Sequence, residues 1–217
     1  MVDAGPSSRE RYRAQVRAEI KQHAWAQIAE AGVPALSLNA IAKKVGMSGP
    51  ALYRYFANRD ELITALIRDA YRSVADTVRA AHEGGADLAG LAHVIRDWAR
   101  EDPQRYFLIY GTPVPGYHAP DDTTAISHEV MAVLIEACGV PATGGPVTPF
   151  DTHLDDHREW AGDHPAPAAV LHRALSFWTR LHGALSLELA GHFAGMRFDP
   201  GLLIDEEITG LAPGSDG

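Results

Sequence analysis

Residues 45–62 read VGMSGPALYRYFANRDEL, and the fold turns on how this stretch is divided. Gly46 closes LNAIAKKV, a short run with helical periodicity. Glycine one place past a helix readily takes the left-handed C′ conformation. Ser48 suits the N-cap of a new helix, and Pro50 falls in its first turn, where a missing N–H costs little. Asn58 and Glu61 form an Asn-x-x-Glu variant of the capping box for a further helix. Two short helices joined by a four-residue turn containing Gly46 make a helix-turn-helix signature. Ile41, Ala42, Val45, Leu52 and Phe56 can share its inner side. Lys43, Lys44, Ser48, Gly49, Ala51, Tyr53 and Arg54 are left outside.

Helical periodicity continues on both sides, with almost no strand signal. Upstream, Tyr12, Val16, Ile20, Ala24 and Ile28 recur every four residues, and Ala31 extends the row toward Gly32. Pro34 opposes continuation, and Ser37 is the next N-cap. Leu36 with Ile41, and Met47 with Leu52, are placed as hydrophobic staples. Downstream, the helix begun at Asn58 reaches about His82, where EGGAD breaks it. Further helices are expected over 87–101, 103–110, 121–138, near 150–161, over 166–192 and over 200–211. Pro/Gly-rich loops cover 111–123 and 139–150, and the latter is expected to be poorly ordered. The fold class is all-α: a three-helix N-terminal domain over 8–58 and a helical domain over 59–213.

Net charge is −9, but it is split unevenly. Residues 1–60 hold nine Lys/Arg against five Asp/Glu, a net of +4; the rest hold ten against 23, a net of −13. A basic module that approaches phosphate, joined to an acidic body that does not, fits this asymmetry.

Residues 11–63 resemble the N-terminal domain of TetR-type bacterial repressors. The resemblance rests on Ala24, Gly32, Leu36-Ser37-Leu38, Ile41-Ala42 and the unbroken run from Val45 to Leu62. Ser37 stands where threonine is usual and Arg59 where lysine is usual; hydroxyl and charge are kept. The stretch FWTRLHGALSLELAGH, 177–192, resembles a TetR subgroup marked by Trp178, His182 and Gly183. Residues 85–165 match no such pattern by inspection.

The resemblance implies a homodimer on a palindromic double-stranded DNA operator, released by a small-molecule effector. Ser48, Gly49 and the free N–H groups of the second short helix present positive dipole to a phosphate or base edge. Gly49, Pro50 and Ala51 are small enough for close approach, with Pro50 or Ala51 available to a thymine methyl. Tyr53 and Tyr55 can give hydroxyls to phosphates, and Ser37, Lys44, Arg54 and Arg59 are further phosphate ligands. Core packing is the other reading for both Tyr55 and Phe56, and it is the stronger one for Phe56.

In the long helix, Leu171, Leu175, Trp178, His182, Leu185 and Leu189 form one row, and Ser176, Thr179, Gly183, Ser186 and Ala190 a small-residue row. The resemblance places the dimer interface in 166–192 and 200–211. Trp98, Tyr106, Phe107, Tyr110, Phe177, Trp178 and His182 are candidates to line an effector cavity; each also suits a packed core. His182 is the member best able to orient a ligand, and a structural histidine fits it as well.

His153 and His157, four apart in DTHLDDH, would share a helix face, but two ligands do not make a metal site. A metal-dependent hydrolase using this region is the alternative reading. No nucleophile elbow, P-loop or dinucleotide fingerprint occurs, so neither an enzyme nor a cofactor is expected. The single Cys138 suits a small buried hydrophobe in a reducing compartment. No run is apolar enough for a membrane helix, and the expected location is cytoplasmic.

Overall fold

A computed structural model of the chain describes residues 7–113, 117, 120–139, 147–162 and 164–211. Among them are ten α-helices and no strand. These are α1 (Ser8–Ala31), α2 (Leu38–Val45), α3 (Gly49–Leu52), α4 (Arg59–Glu83), α5 (Leu88–Glu101), α6 (Pro103–Tyr110), α7 (Asp121–Ala137), α8 (Pro149–Asp156), α9 (Ala168–Leu189) and α10 (Pro200–Thr209). Two compact units emerge: Met1–Ala70 with Gln104–Pro120, and Tyr71–Pro103 with Asp121–Gly217.

In the first unit, α1 starts on a reciprocal capping box. Glu10 N–H donates to Ser7 Oγ, and Ser7 N–H donates to the Glu10 carboxylate. Val16, Ile20, Ala24 and Ile28 are buried along α1. Tyr12 is 64% exposed and Ala31 is exposed, so the buried row is shorter than its spacing suggested. A row spaced by four precesses by roughly 40° per step on a 3.6-residue helix, so its ends leave the packed side. Leu38, Ile41 and Ala42 of α2, Leu52 of α3, Phe56, and Leu62, Ile63, Leu66 and Ile67 of α4 complete this core. Fully burying Phe56 contributes about 2–3 kcal/mol.

In the second unit, Asp87 caps α5 through its carboxylate, and Leu91, Ala92, Ile95, Trp98 and Ala99 are buried along it. Trp98 Nε1–H donates to Ser73 Oγ at 3.0 Å, so its one polar atom is satisfied. Thr148 and Asp151 form a capping box at the start of α8, a helix that begins inside the stretch expected as loop. Residues 140–146 of that stretch lie outside the described residues, as do 114–116 and 118–119 of the other loop. After α8 the chain makes a short 3-10 turn at Glu159–Ala161.

Helix α9 is shorter than the expected 166–192. Pro167 precedes it, and Gly191, at φ +79°, lies just beyond its Ala190 C-cap. Helix α10 likewise stops at Thr209. Leu171, Ala174, Phe177, Leu181 and Leu185 are buried along α9, and Ile204 and Ile208 along α10. Arg96 of α5 grips Glu188 of α9 through two bonds of 2.9 and 2.7 Å, and both side chains are nearly buried. The carboxylate partner holds the Arg96 guanidinium above its usual range. Cys138 is buried, which pushes its thiol up to about 11 and leaves it a hydrophobe rather than a nucleophile.

Candidate nucleic-acid interface

The first unit positions its exposed face through two helix ends. Helix α2 closes on Gly46 in the left-handed conformation (φ 73°, ψ 28°). Met47 N–H returns to the Ala42 carbonyl at 2.8 Å, closing a Schellman-type turn. A Cβ at Gly46 would touch nothing, so the glycine is required by backbone conformation and not by space. Gly46, Met47 and Ser48 alone separate α2 from α3, one residue fewer than a four-residue turn.

Ser48 differs from its expected role. Its backbone is extended and its carbonyl accepts from Ala51 and Leu52 N–H, but its hydroxyl caps nothing. The carbonyl therefore starts α3 while the hydroxyl stays available at the exposed surface. Gly49 has an ordinary φ, and a Cβ there would meet Asn39 Oδ1 at an unremarkable 3.6 Å. Neither backbone strain nor internal crowding calls for glycine at 49. Pro50 is exposed and Ala51 half-buried beside it.

Helix α3 proper spans four residues, and i→i−4 bonds continue past it: Tyr53 N–H reaches the Gly49 carbonyl and Phe56 N–H the Leu52 carbonyl. Phe56 points inward and is fully buried, so of its two readings the core one holds. Tyr53 is 46% exposed, Arg54 is exposed and Tyr55 half-buried. Lys43 and Lys44 are exposed on α2.

Ser37 caps α2 by accepting from Ala40 N–H at 3.3 Å, and its own N–H donates to Gln27. Asn58 accepts from Glu61 N–H at 2.8 Å, but the Glu61 carboxylate takes the N–H of Ala57 rather than of Asn58. Arg59 donates to the Val33 carbonyl at 2.7 Å. One of its N–H groups is therefore committed within the chain, and the rest of its fork has no partner among the described residues.

Sequence reasoning assigned no role to Arg13 and Arg17 of α1. Arg13 donates to the Arg54 carbonyl at 3.3 Å, and Arg17 donates to the Tyr55 carbonyl. These bonds fix the end of the recognition segment to α1. The four-residue spacing of Arg13 and Arg17 is visible in sequence, but their targets lie 41 and 38 residues away.

Of the effector candidates, Tyr106, Phe107 and Tyr110 fall in the first unit and Trp98, Phe177, Trp178 and His182 in the second. Tyr106 and Phe177 are fully buried, and Trp98 nearly so. Trp178 and His182 lie with ring centroids 3.9 Å apart. Burial pushes the His182 imidazole down to about 3, so it is neutral across the physiological range. His153 and His157 are exposed, with their rings stacked 4.0 Å apart. Among the described residues no group of three His, Cys, Asp or Glu is arranged to hold a metal ion.

A short capped helix pair that presents small residues and unneutralised cations defines a helix-turn-helix DNA-binding module. Comparison with known proteins agrees. Residues 20–66 match the family described as bacterial regulatory proteins, tetR family. Residues 88–211 match the tetracyclin repressor-like C-terminal domain, which covers most of the stretch that inspection left unmatched. The HTH-type transcriptional regulator Rv1816 of Mycobacterium tuberculosis is 35% identical over 211 residues, covering 90% of each chain. The crystal structure of the regulatory protein SCO4313 superposes with a TM-score of 0.88 at 68% identity, covering 94% of this chain and 98% of that one. A protein of unknown function from Rhodococcus sp. RHA1 shares the fold at a TM-score of 0.66 and 20% identity, covering 97% of each chain. The chain belongs to the TetR family of bacterial transcriptional regulators. No described helix is long and apolar enough to cross a membrane.

Proposed function

We propose that the chain is a ligand-responsive transcriptional repressor that binds a palindromic operator as a homodimer and leaves it when a small-molecule effector binds. The observation that carries the DNA-binding part is Gly49. Neither its backbone conformation nor a contact with a described residue demands glycine there, and it opens a helix flanked by the uncommitted Ser48 hydroxyl and by exposed Tyr53 and Arg54. Ser37, Lys44, Ser48, Tyr53, Arg54, Tyr55 and Arg59 contact phosphates, and Gly49, Pro50 and Ala51 approach base edges. Residues 8–58 serve as the DNA-binding domain, and 59–213 as the effector and dimerisation domain.

For the dimer we assign α9 and α10, within 166–192 and 200–211. Support comes from exposed Thr179, Gly183 and Leu187 on α9, Ala190 at its C-cap and Leu202 on α10, apolar or small groups left uncovered in one chain. A twofold dimer would set its two recognition helices about 34–36 Å apart or a multiple of that. For the effector we assign Trp98, Tyr106, Phe107, Tyr110, Phe177, Trp178 and His182. A neutral His182 against Trp178 offers a hydrogen-bonding atom beside an aromatic wall. The subgroup reading rests on Trp178, His182 and Gly183 alone, and the cytoplasmic location on the class of protein. The hydrolase alternative draws no support from the donor geometry and is not carried forward.

Fluorescence anisotropy with the palindrome beside the chain's own gene, at two salt concentrations, tests the reading. Binding that weakens with salt is expected; no salt-dependent binding there or at neighbouring promoters would sink it.

A further inference from the structure

A shallow cleft opens at the C-terminal end of the recognition segment, lined by Arg9, Tyr12 and Arg13 of α1 and by Arg54 and Tyr55. Positions 9, 12 and 13 follow i, i+3, i+4 spacing and so share one helix face. Three arginines line it, and among the described residues no carboxylate does. Glu10, the nearest acid in sequence, is turned away: its carboxylate accepts from Ser7 N–H at 2.7 Å, and that bond holds it below the usual carboxylate range.

The next two cations along α1 are neutralised, Arg17 by Glu61 at 3.8 Å and Lys21 by Asp69 at 2.5 Å. Arg9, Arg13 and Arg54 have no ion-pair partner among the described residues. Like charges held together repel one another, and among the described residues no carboxylate offsets this. Arg13 is also held in place beforehand: it donates to the Arg54 carbonyl, and its guanidinium carbon lies 6.0 Å from the Tyr55 ring centroid. One fixed fork with two free ones beside it, plus the exposed Tyr12 hydroxyl, matches the oxygens of a phosphate.

We propose that this cleft binds one DNA backbone phosphate in each half-site, flanking the bases met by α3 and extending the footprint beyond α2 and α3. The proposal rests on the DNA-binding reading above. Tyr12 and Arg9 thereby join the interface although they lie 26 and 29 residues before the start of α2.

The test uses the full chain and a palindromic duplex that it selects from random sequence. Single uncharged methylphosphonate linkages are then placed along one strand. In wild type, one linkage on that strand, outside the α3 bases, should weaken binding about tenfold. The R9Q/R13Q variant should bind the all-phosphate duplex more weakly, lose its sensitivity to that linkage alone, and show a salt slope smaller by about 2 for the dimer. R13K should keep part of the coupling, through its charge without the fork, and circular dichroism should show unchanged folding in both variants. Wild-type affinity and slope in R9Q/R13Q, or equal loss at every linkage, overturns the cleft proposal while the operator reading stands. A wild-type chain that selects no duplex overturns both.

Discussion

The Arg17 guanidinium carbon lies 4.0 Å from the centroid of the Phe56 ring, and its Nη1 also reaches the Tyr55 carbonyl. The same group lies 3.8 Å from the Glu61 carboxylate at the start of α4. One side chain of α1 therefore touches the end of the recognition segment, the aromatic that anchors it, and the helix that follows.

Arg17→Ala should lower stability toward urea by about 2–3 kcal/mol, combining a charged hydrogen bond with a cation–π contact. Arg17→Lys should recover little, because lysine lacks a planar fork that can lie on the ring and reach the carbonyl together. A loss near zero in Arg17→Ala would show that the contact is incidental.

Tyr53 is exposed and absent from the core, so Tyr53→Ala should weaken operator binding without unfolding the chain. Lys44→Gln should weaken binding uniformly across sequences and reduce the salt slope by about 0.9 per half-site. Anisotropy titrations at several salt concentrations read both effects. Normal affinity in Tyr53→Ala would remove that residue from the interface.

Gly183 sits on the exposed side of α9, and a Cβ there meets nothing within the chain. Gly183→Leu should leave the single chain folded, even gaining up to about 1 kcal/mol of helix propensity. It should nevertheless weaken dimerisation, because a bulky group would hold two α9 helices apart. Sedimentation velocity over a dilution series distinguishes these outcomes. An unchanged dimer at all concentrations would take Gly183 out of the proposed interface.

His182 is held neutral with a folded value near 3, well below an unfolded value near 6.5. Below pH 6.5 the unfolded chain binds a proton that the folded chain refuses, so folding stability falls as pH drops from about 6.5 toward 3. The slope is at most about 1.4 kcal/mol per pH unit. Glu129 and Asp151, whose folded values are depressed by Arg72 and by Thr148 respectively, add their losses at lower pH, in the carboxylate range. Urea titrations between pH 6.5 and 5 therefore isolate the histidine: wild type should weaken and His182→Gln should be flatter. Equal slopes would mean that His182 titrates normally.

Local chemistry made much of this legible in advance. The end of α2, the position of Pro50 at the start of α3, and the origin of α4 at Asn58 depend on residues within four places of one another. Ser48 and Tyr12 show the limit. A serine at an N-cap position need not use its hydroxyl as a cap, and Tyr12 stands in register with a buried row yet lies in solvent. Register tells where a side chain points on its own helix, but burial needs a neighbouring surface at that height.

The sequence by itself determined the all-α class, the glycine turn at 46, the basic charge of the N-terminal part and the inward role open to Phe56. Each follows from propensity, capping or composition, which act over a few residues or over sums. Tertiary structure decided that Arg13 and Arg17 hold the carbonyls of Arg54 and Tyr55, that Arg9, Arg13 and Arg54 line one cleft with no carboxylate among the described residues, and that His182 is desolvated. These depend on how helices distant in sequence meet in space. That meeting is set by the summed packing of whole faces, and no spacing within a single helix encodes it.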